Sequence, residues 1–319
     1  MTQRYTVKHE TRYAYTAPVS QSWQLARLTP RLLPWQRLLA YSLEIEPKAD
    51  ERRDELDSFG NMVTHFGLHG AHRMLRVRME CVVEVTERPA LDAVPAPIAQ
   101  QQMQLQGAAA DSSQSQAAAV AAPLAWEAVR EAIRREPQQD DLVPASMSEP
   151  TPLVPLSEGA RQYASASFAR GRPWLEAVTE LMGRIHDDFE FEPGATTVAT
   201  SVDEVLYQKR GVCQDFAHLM LACLRGHGLP ARYVSGYLLT DPPPGRPRLM
   251  GADASHAWVA AYSPQHGWVE FDPTNNQLAD QRYITLTWGA DFADVVPLRG
   301  VILGGGEQRM DVRVSVIPT

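Results

Sequence analysis

Residues 255–272 read Ser-His-Ala-Trp-Val-Ala-Ala-Tyr-Ser-Pro-Gln-His-Gly-Trp-Val-Glu-Phe-Asp. Two β-rich runs flank Ser263-Pro-Gln-His-Gly267, and a short Gly-containing break between such runs signals a β-hairpin. With Tyr262 paired to Trp268, Trp258 falls opposite Asp272 and His256 lies two residues along. Side chains alternate with period two, so His256 and Asp272 share one face as diagonal neighbours, about 7–8 Å apart at the backbone. A slip of one residue would put them on opposite faces. Taken singly, His256 reads as a structural histidine and Asp272-Pro273 as a turn initiator. Taken together, a carboxylate so placed holds one imidazole nitrogen and leaves the other to face a nucleophile.

A candidate nucleophile lies upstream. Gly211-Val-Cys213 opens a helical pattern that stops at Gly226-His-Gly-Leu-Pro230, where Gly and Pro end helices. The first turn of a helix carries unpaired N–H groups and the positive end of the dipole, a setting that favours a thiolate. A free cysteine is more often a small buried hydrophobe. Cys223, deep in the same helix, fits that ordinary role. A thiol at a helix start, followed by a histidine and an aspartate on adjacent strands, is the nucleophile, base and orienter order of acyl transfer.

The surrounding organisation is α+β. Residues 1–88 carry alternating runs, most clearly Leu75-Arg-Val-Arg-Met-Glu-Cys-Val-Val-Glu-Val85, and read as an N-terminal β-sandwich domain. Residues 89–157 shift to Ala, Gln and Pro and read as a linker, with one short helix after Pro123 that presents Trp126, Val129 and Ile133. Residues 158–280 form a second domain of helices packed on an antiparallel sheet. Its helices are expected over Ala160–Ala169 and Trp174–Asp187, with a capping box at Ser201-Val-Asp-Glu204. Its strands are expected over Arg232–Leu239, His256–Tyr262 and Trp268–Asp272. The tail, 281–319, contains a further alternating run, Met310-Asp-Val-Arg-Val-Ser-Val316, expected to pack back on a sheet.

Composition narrows the function classes. Thirty Lys plus Arg against 38 Asp plus Glu give a net charge of −8, so no basic field is available for nucleic acid or an anionic membrane. The opening residues lack the apolar core of a secretory signal, and no apolar run approaches a membrane span. Three cysteines without a C-x-x-C pair argue against a disulfide framework or a cysteine-rich zinc site. The chain is therefore expected to be soluble and cytoplasmic. His65, His69 and His72 have spacings seen among zinc ligands. They fall on strands joined by a turn, where the three rings need not converge, so no metal site is expected.

Gly211-Val-Cys-Gln-Asp-Phe-Ala-His218, Gly228-Leu-Pro-Ala-Arg-Tyr-Val-Ser-Gly-Tyr237, Ser255-His-Ala-Trp258 and Phe271-Asp-Pro-Thr-Asn-Asn276 resemble the transglutaminase-like superfamily, in its bacterial cysteine-peptidase-like branch. Tyr13-Ala-Tyr15, Arg27-Leu-Thr-Pro30 and Phe59-Gly-Asn61 are similar to the β-domain that precedes the core in that branch. The tail from Trp288 to Gly300 resembles its C-terminal segment. The resemblance implies a papain-like core with Cys213 as nucleophile, His256 as base and acid, and Asp272 as orienter. It implies no cofactor, and a peptide or protein substrate whose amide passes through a thioester, with hydrolysis expected ahead of cross-linking. A protein cross-linking transglutaminase and a catalytically silent scaffold of the same fold are the alternatives. Gln208 is a candidate second oxyanion donor, although a helix-surface glutamine is ordinarily solvated. Trp258 and Trp268 are candidate cleft walls, although aromatic packing across a hairpin is the commoner role of such residues. Pro242–Pro247 is a candidate rim of the cleft or a stiff connector.

Overall fold

The computed structural model describes residues 2–89, 91, 123–135, 145–239 and 255–319. Most of the Ala/Gln/Pro-rich stretch and the Pro242–Pro247 connector lie outside the described residues. In chain order the elements are β1 (Gln3–Ala26), β2 (Gln36–Glu46), β3 (Glu51–Leu56), β4 (Met62–Leu68), β5 (His72–Val85), α1 (Trp126–Arg135), α2 (Glu158–Ala164), α3 (Trp174–Asp188) and β6 (Glu190–Phe191). There follow α4 (Val202–Gln208), β7 (Arg210–Gly211), α5 (Cys213–Gly226), β8 (Ala231–Leu238), β9 (Ser255–Ser263), β10 (Gly267–Asp272), β11 (Gln277–Leu278), β12 (Tyr283–Gly289), β13 (Leu298–Gly304) and β14 (Gln308–Pro318). None of these helices is long and apolar enough to cross a membrane. Two compact units emerge, Met1–Arg88 with Tyr233–Trp258 and Ala279–Thr319, and Pro89–Arg232 with Val259–Leu278.

In the first unit, β1 is the spine of a seven-stranded antiparallel sheet. Its first half pairs with β5 and β14, and its second half with β4 and β13. The register breaks between Ala14 and Val19, where Pro18 supplies no N–H to a ladder. The expected β-domain is thus built from two half-sheets that share one long strand. In β5 the alternation is complete on the inner face: Leu75, Val77, Met79, Cys81, Val83 and Val85 are all buried. Its outward charges meet neighbours across the sheet, Glu80 with Lys8, Glu84 with Arg4 and Arg78 with Glu44. Exposed pairs of this kind add little stability, so the buried face carries the sheet.

Strands from the second half of the chain join this core. Tyr237 of β8 and Ile284 and Leu286 of β12 belong to the same buried cluster. Two amide side chains fasten β12 there. Gln36 accepts from Thr285 N–H and donates to Thr285 C=O, both at 2.8 Å. Asn61 accepts from Trp288 N–H at 3.0 Å and donates to Trp288 C=O at 2.8 Å. The Trp288 indole donates to Phe59 C=O at 3.1 Å and lies under the Arg31 guanidinium.

The second sheet is antiparallel, in the order β11-β10-β9-β8-β12. In the second unit the hairpin runs in the expected register, with Trp268 opposite Tyr262 and Phe271 opposite Val259. α3 sets Trp174 edge-on to Phe271, with ring centroids 6.1 Å apart. α1 buries Trp126, Val129 and Ile133 as its periodicity indicates. α2 departs from expectation by ending at Ala164 rather than Ala169. The Ser165 hydroxyl donates to Arg161 C=O there, and the local serine bond competes with helix continuation.

One buried group in the first unit makes stability depend on pH. His9 is 1% exposed, with Nδ1 2.8 Å from the Tyr237 hydroxyl and Nε2 3.1 Å from that of Thr11. Burial lowers its pKa from 6.5 to about 4. The folded state therefore resists a proton that the unfolded chain accepts, so this stability is complete above pH 6.5 and is lost as pH falls through 4. The difference amounts to about 3 kcal/mol. Urea unfolding at a series of pH values is expected to show this fall in wild type, and a shallower one in His9→Gln.

Candidate active site

The start of α5 is built around a missing Cβ. Asp215, at the third helical position, turns its carboxylate back on the chain, where Oδ2 accepts from Val212 N–H at 2.7 Å and from the Thr196 hydroxyl at 2.6 Å. A Cβ on Gly211 would sit 2.8 Å from that oxygen, so only glycine leaves the carboxylate this path. Burial raises the Asp215 pKa, while the bonds from Thr196 and Val212 act the other way. Upstream, β6 and β7 form a two-residue parallel ribbon, and Glu192 N–H donates to Gly211 C=O at 2.9 Å. Cys213 is thereby held as the first residue of α5.

The three cysteines differ in surroundings. Cys81 and Cys223 are 1% and 0% exposed, and Cys213 is half-buried. Burial pushes the Cys81 thiol up to about 12 and the Cys223 thiol up as well. Cys223 donates to Ala160 C=O at 3.4 Å, the structural role its mid-helix position indicates.

Asp272 ends β10 and is fully buried. Its Oδ1 accepts from the N–H groups of Thr274 and Asn275 at 2.9 and 3.3 Å, and its Oδ2 from the Asn275 side-chain amide at 2.7 Å. These bonds fix the rotamer of the carboxylate. His256 is half-buried on β9. Its ring stacks on Trp258 with centroids 6.0 Å apart and planes at 27°, and tilts against Tyr283 at 6.2 Å.

The remaining sequence candidates separate by environment. Gln208 is the exposed last residue of α4, followed by Lys209 in the left-handed region at φ 56°. Trp268 packs on Tyr262 across the hairpin at 5.3 Å and carries the Arg232 guanidinium over its face. Trp258 is 0% exposed and offers no surface to a ligand. His65 meets Glu55, His69 meets Glu51, and His72 bonds Gly70 C=O, so each ring has its own partner. Sequence reasoning missed Asp215, Thr196 and Asn275. Asn275 was open to detection, because Asp-Pro-Thr-Asn is an Asx-turn pattern. The Asp215 cap was hidden because Val212 stands where Ser or Thr would mark a helix start.

The comparisons with known proteins agree with this architecture. Residues 161–273 match the transglutaminase-like superfamily, a span that includes Cys213, His256 and Asp272, and residues 5–84 match the bacterial transglutaminase-like N-terminal region. An uncharacterised protein of Mycobacterium tuberculosis is 39% identical over 326 aligned residues, covering 99% of this chain and 93% of that protein. The chain belongs to the transglutaminase-like superfamily. A protein-glutamine gamma-glutamyltransferase of Pseudomonas aeruginosa is 36% identical over 110 residues, covering 32% of this chain and 16% of that protein. The crystal structure of a candidate cysteine protease from Cytophaga hutchinsonii matches 100% of this chain and 92% of its own with a TM-score of 0.68. At 17% identity this last likeness is one of fold.

The Gly211 constraint is testable by itself. Gly211→Ala is expected to cost about 1–3 kcal/mol of stability by overpacking against Asp215. It is also expected to slow iodoacetamide alkylation of Cys213, followed by mass spectrometry, while Cys81 and Cys223 stay unlabelled in the folded protein.

Proposed function

We propose that the protein is a cysteine-dependent acyl-transfer enzyme acting on a peptide or glutamine-type amide, with Cys213 as nucleophile, His256 as general base and acid, and Asp272 as orienter. The observation that carries this reading is the contrast among the thiols. Cys81 and Cys223 are buried, whereas Cys213 opens a helix, is half-buried and follows Val212, whose N–H is tied to the Asp215 carboxylate. The in-register hairpin supports it too, since a shared face for His256 and Asp272 requires Trp268 opposite Tyr262.

The chemistry follows from these groups. His256 takes the proton of the Cys213 thiol, and the sulfur attacks the amide carbonyl and forms a C–S bond as the carbonyl π electrons move to oxygen. The negative charge that develops on oxygen falls near first-turn N–H groups, with Cys213 N–H as the first donor. The C–N bond then breaks, and His256 delivers a proton to the departing amine, leaving a thioester. Water attacks the thioester, His256 takes its proton, and the acid leaves as the thiolate is restored. Gln208 is a weaker oxyanion candidate, being exposed at a helix end.

Hydrolysis is the favoured outcome. Transfer to a second amine is the other reading, and the local likeness to the Pseudomonas glutamyltransferase speaks for it. We propose no cofactor, nucleic acid or membrane in either case, and a reducing, cytoplasmic setting that keeps the thiol free.

Two measurements test the proposal. Cys213 is expected to alkylate at pH 7 at least about tenfold faster in wild type than in His256→Ala, as an activated thiol should. Equal rates would refute the Cys–His pairing and favour a silent scaffold. Incubation with a glutamine peptide should release ammonia with or without a primary amine if water is the acceptor. Appearance of the amine in the peptide identifies transfer instead.

A further inference from the structure

His256 stands against an aromatic surface that the proposed chemistry leaves unused. Trp258, two residues along the same strand face, presents its indole to the imidazole at 27° and 6.0 Å. Tyr283 closes on both, edge-on to Trp258 at 5.2 Å and 77°, and tilted to His256 at 6.2 Å. Trp258 is 0% and Tyr283 0% exposed, so neither ring has room to turn. The space for the indole comes from Gly236 on β8. A Cβ there would lie 2.7 Å from Trp258 Cη2 and would collide with Ile284 C=O of β12. Glycine at this point of a strand marks close approach of a neighbouring group, here an indole and a carbonyl.

We propose that Trp258 is a positioning residue for His256, its indole clamped by Tyr283 and admitted by Gly236 so that the imidazole presents one orientation to its partners. This rests on His256 being the base and acid of the proposed reaction, and it replaces the role of cleft wall for Trp258. A fixed ring is what proton transfer to a departing amine requires, because small misplacements of a catalytic group cost rate steeply. The indole face also lies where an imidazolium gains from the negative quadrupole.

The test combines alkylation with 15N spectra of the His256 ring in the full chain. Trp258→Leu is expected to lose at least about tenfold of the His256-dependent alkylation rate at pH 7, with ring signals that report mixed tautomers. Trp258→Phe, which keeps an aromatic face, is expected to stay within about threefold of wild type with a single tautomer. A folded Trp258→Leu with wild-type rate and spectra would overturn the proposal. So would a Trp258→Phe as impaired as Trp258→Leu, because packing alone would then explain the loss. If Trp258→Leu lacks a cooperative unfolding transition, Tyr283→Leu takes its place with a smaller loss of the same kind expected, and wild-type behaviour there overturns the proposal. If wild type alkylates no faster than His256→Ala, the acyl-transfer reading itself fails, and the ring spectra still decide whether Trp258 orients His256.

Discussion

Two side-chain amides acting as main chain fasten β12 into the first unit. Gln36 and Asn61 each satisfy both the N–H and the C=O of one residue on β12. Leaving such buried groups unpaired would cost about 1–3 kcal/mol apiece. The need is local, because β12 ends the strand order of its sheet and the ladder to β8 serves one side of it. Thr285 and Trp288 of β12 are thus held by side chains from the first strands and turns of the same unit. The Asp57–Asn61 turn has the same purpose. Asp57 accepts from Phe59 and Asn61 N–H, and Gly60 takes φ 71° to bring Asn61 round.

The candidate catalytic groups sit at the ends of elements rather than within them. Cys213 begins α5, and Asp272 ends β10. An element's end leaves backbone donors without an internal partner, which suits both a developing oxyanion and a buried carboxylate. The adjoining turns then use those donors, with Thr274 and Asn275 closing on Asp272. The interior positions, by contrast, are filled by groups made inert through burial, Cys223 among them.

Local pattern was readable in the sequence, and long-range pairing was not. The alternation of Leu75–Val85, the stripe of α1 and the Tyr262–Trp268 register each depend on neighbours a few residues away. The places of Cys213 at a helix start and of His256 and Asp272 on adjacent strands were equally legible, because each follows from local pattern. Gln36 and Asn61 gave no signal, since their partners lie across the chain and an amide in a β-rich stretch carries no mark of its partner. The change of partners along β1 was hidden for the same reason. The end of α2 was misread because Ala and Ser can continue a helix by propensity, and the Ser165 hydroxyl decides otherwise.

The strand order of the first unit has a consequence for how the chain acquires its structure. β1 lies far upstream of β13 and β14, yet one side of it is covered by them, with Tyr5 meeting Pro318 and Ala26 meeting Leu298. Until those strands emerge from the ribosome, the nascent β-domain presents a 24-residue edge of unpaired amides and carbonyls. Such an edge is a template for wrong partners, and contacts this distant in sequence form slowly. A nascent chain that has made β1 but not β13 and β14 therefore has to keep that edge from pairing elsewhere until they arrive.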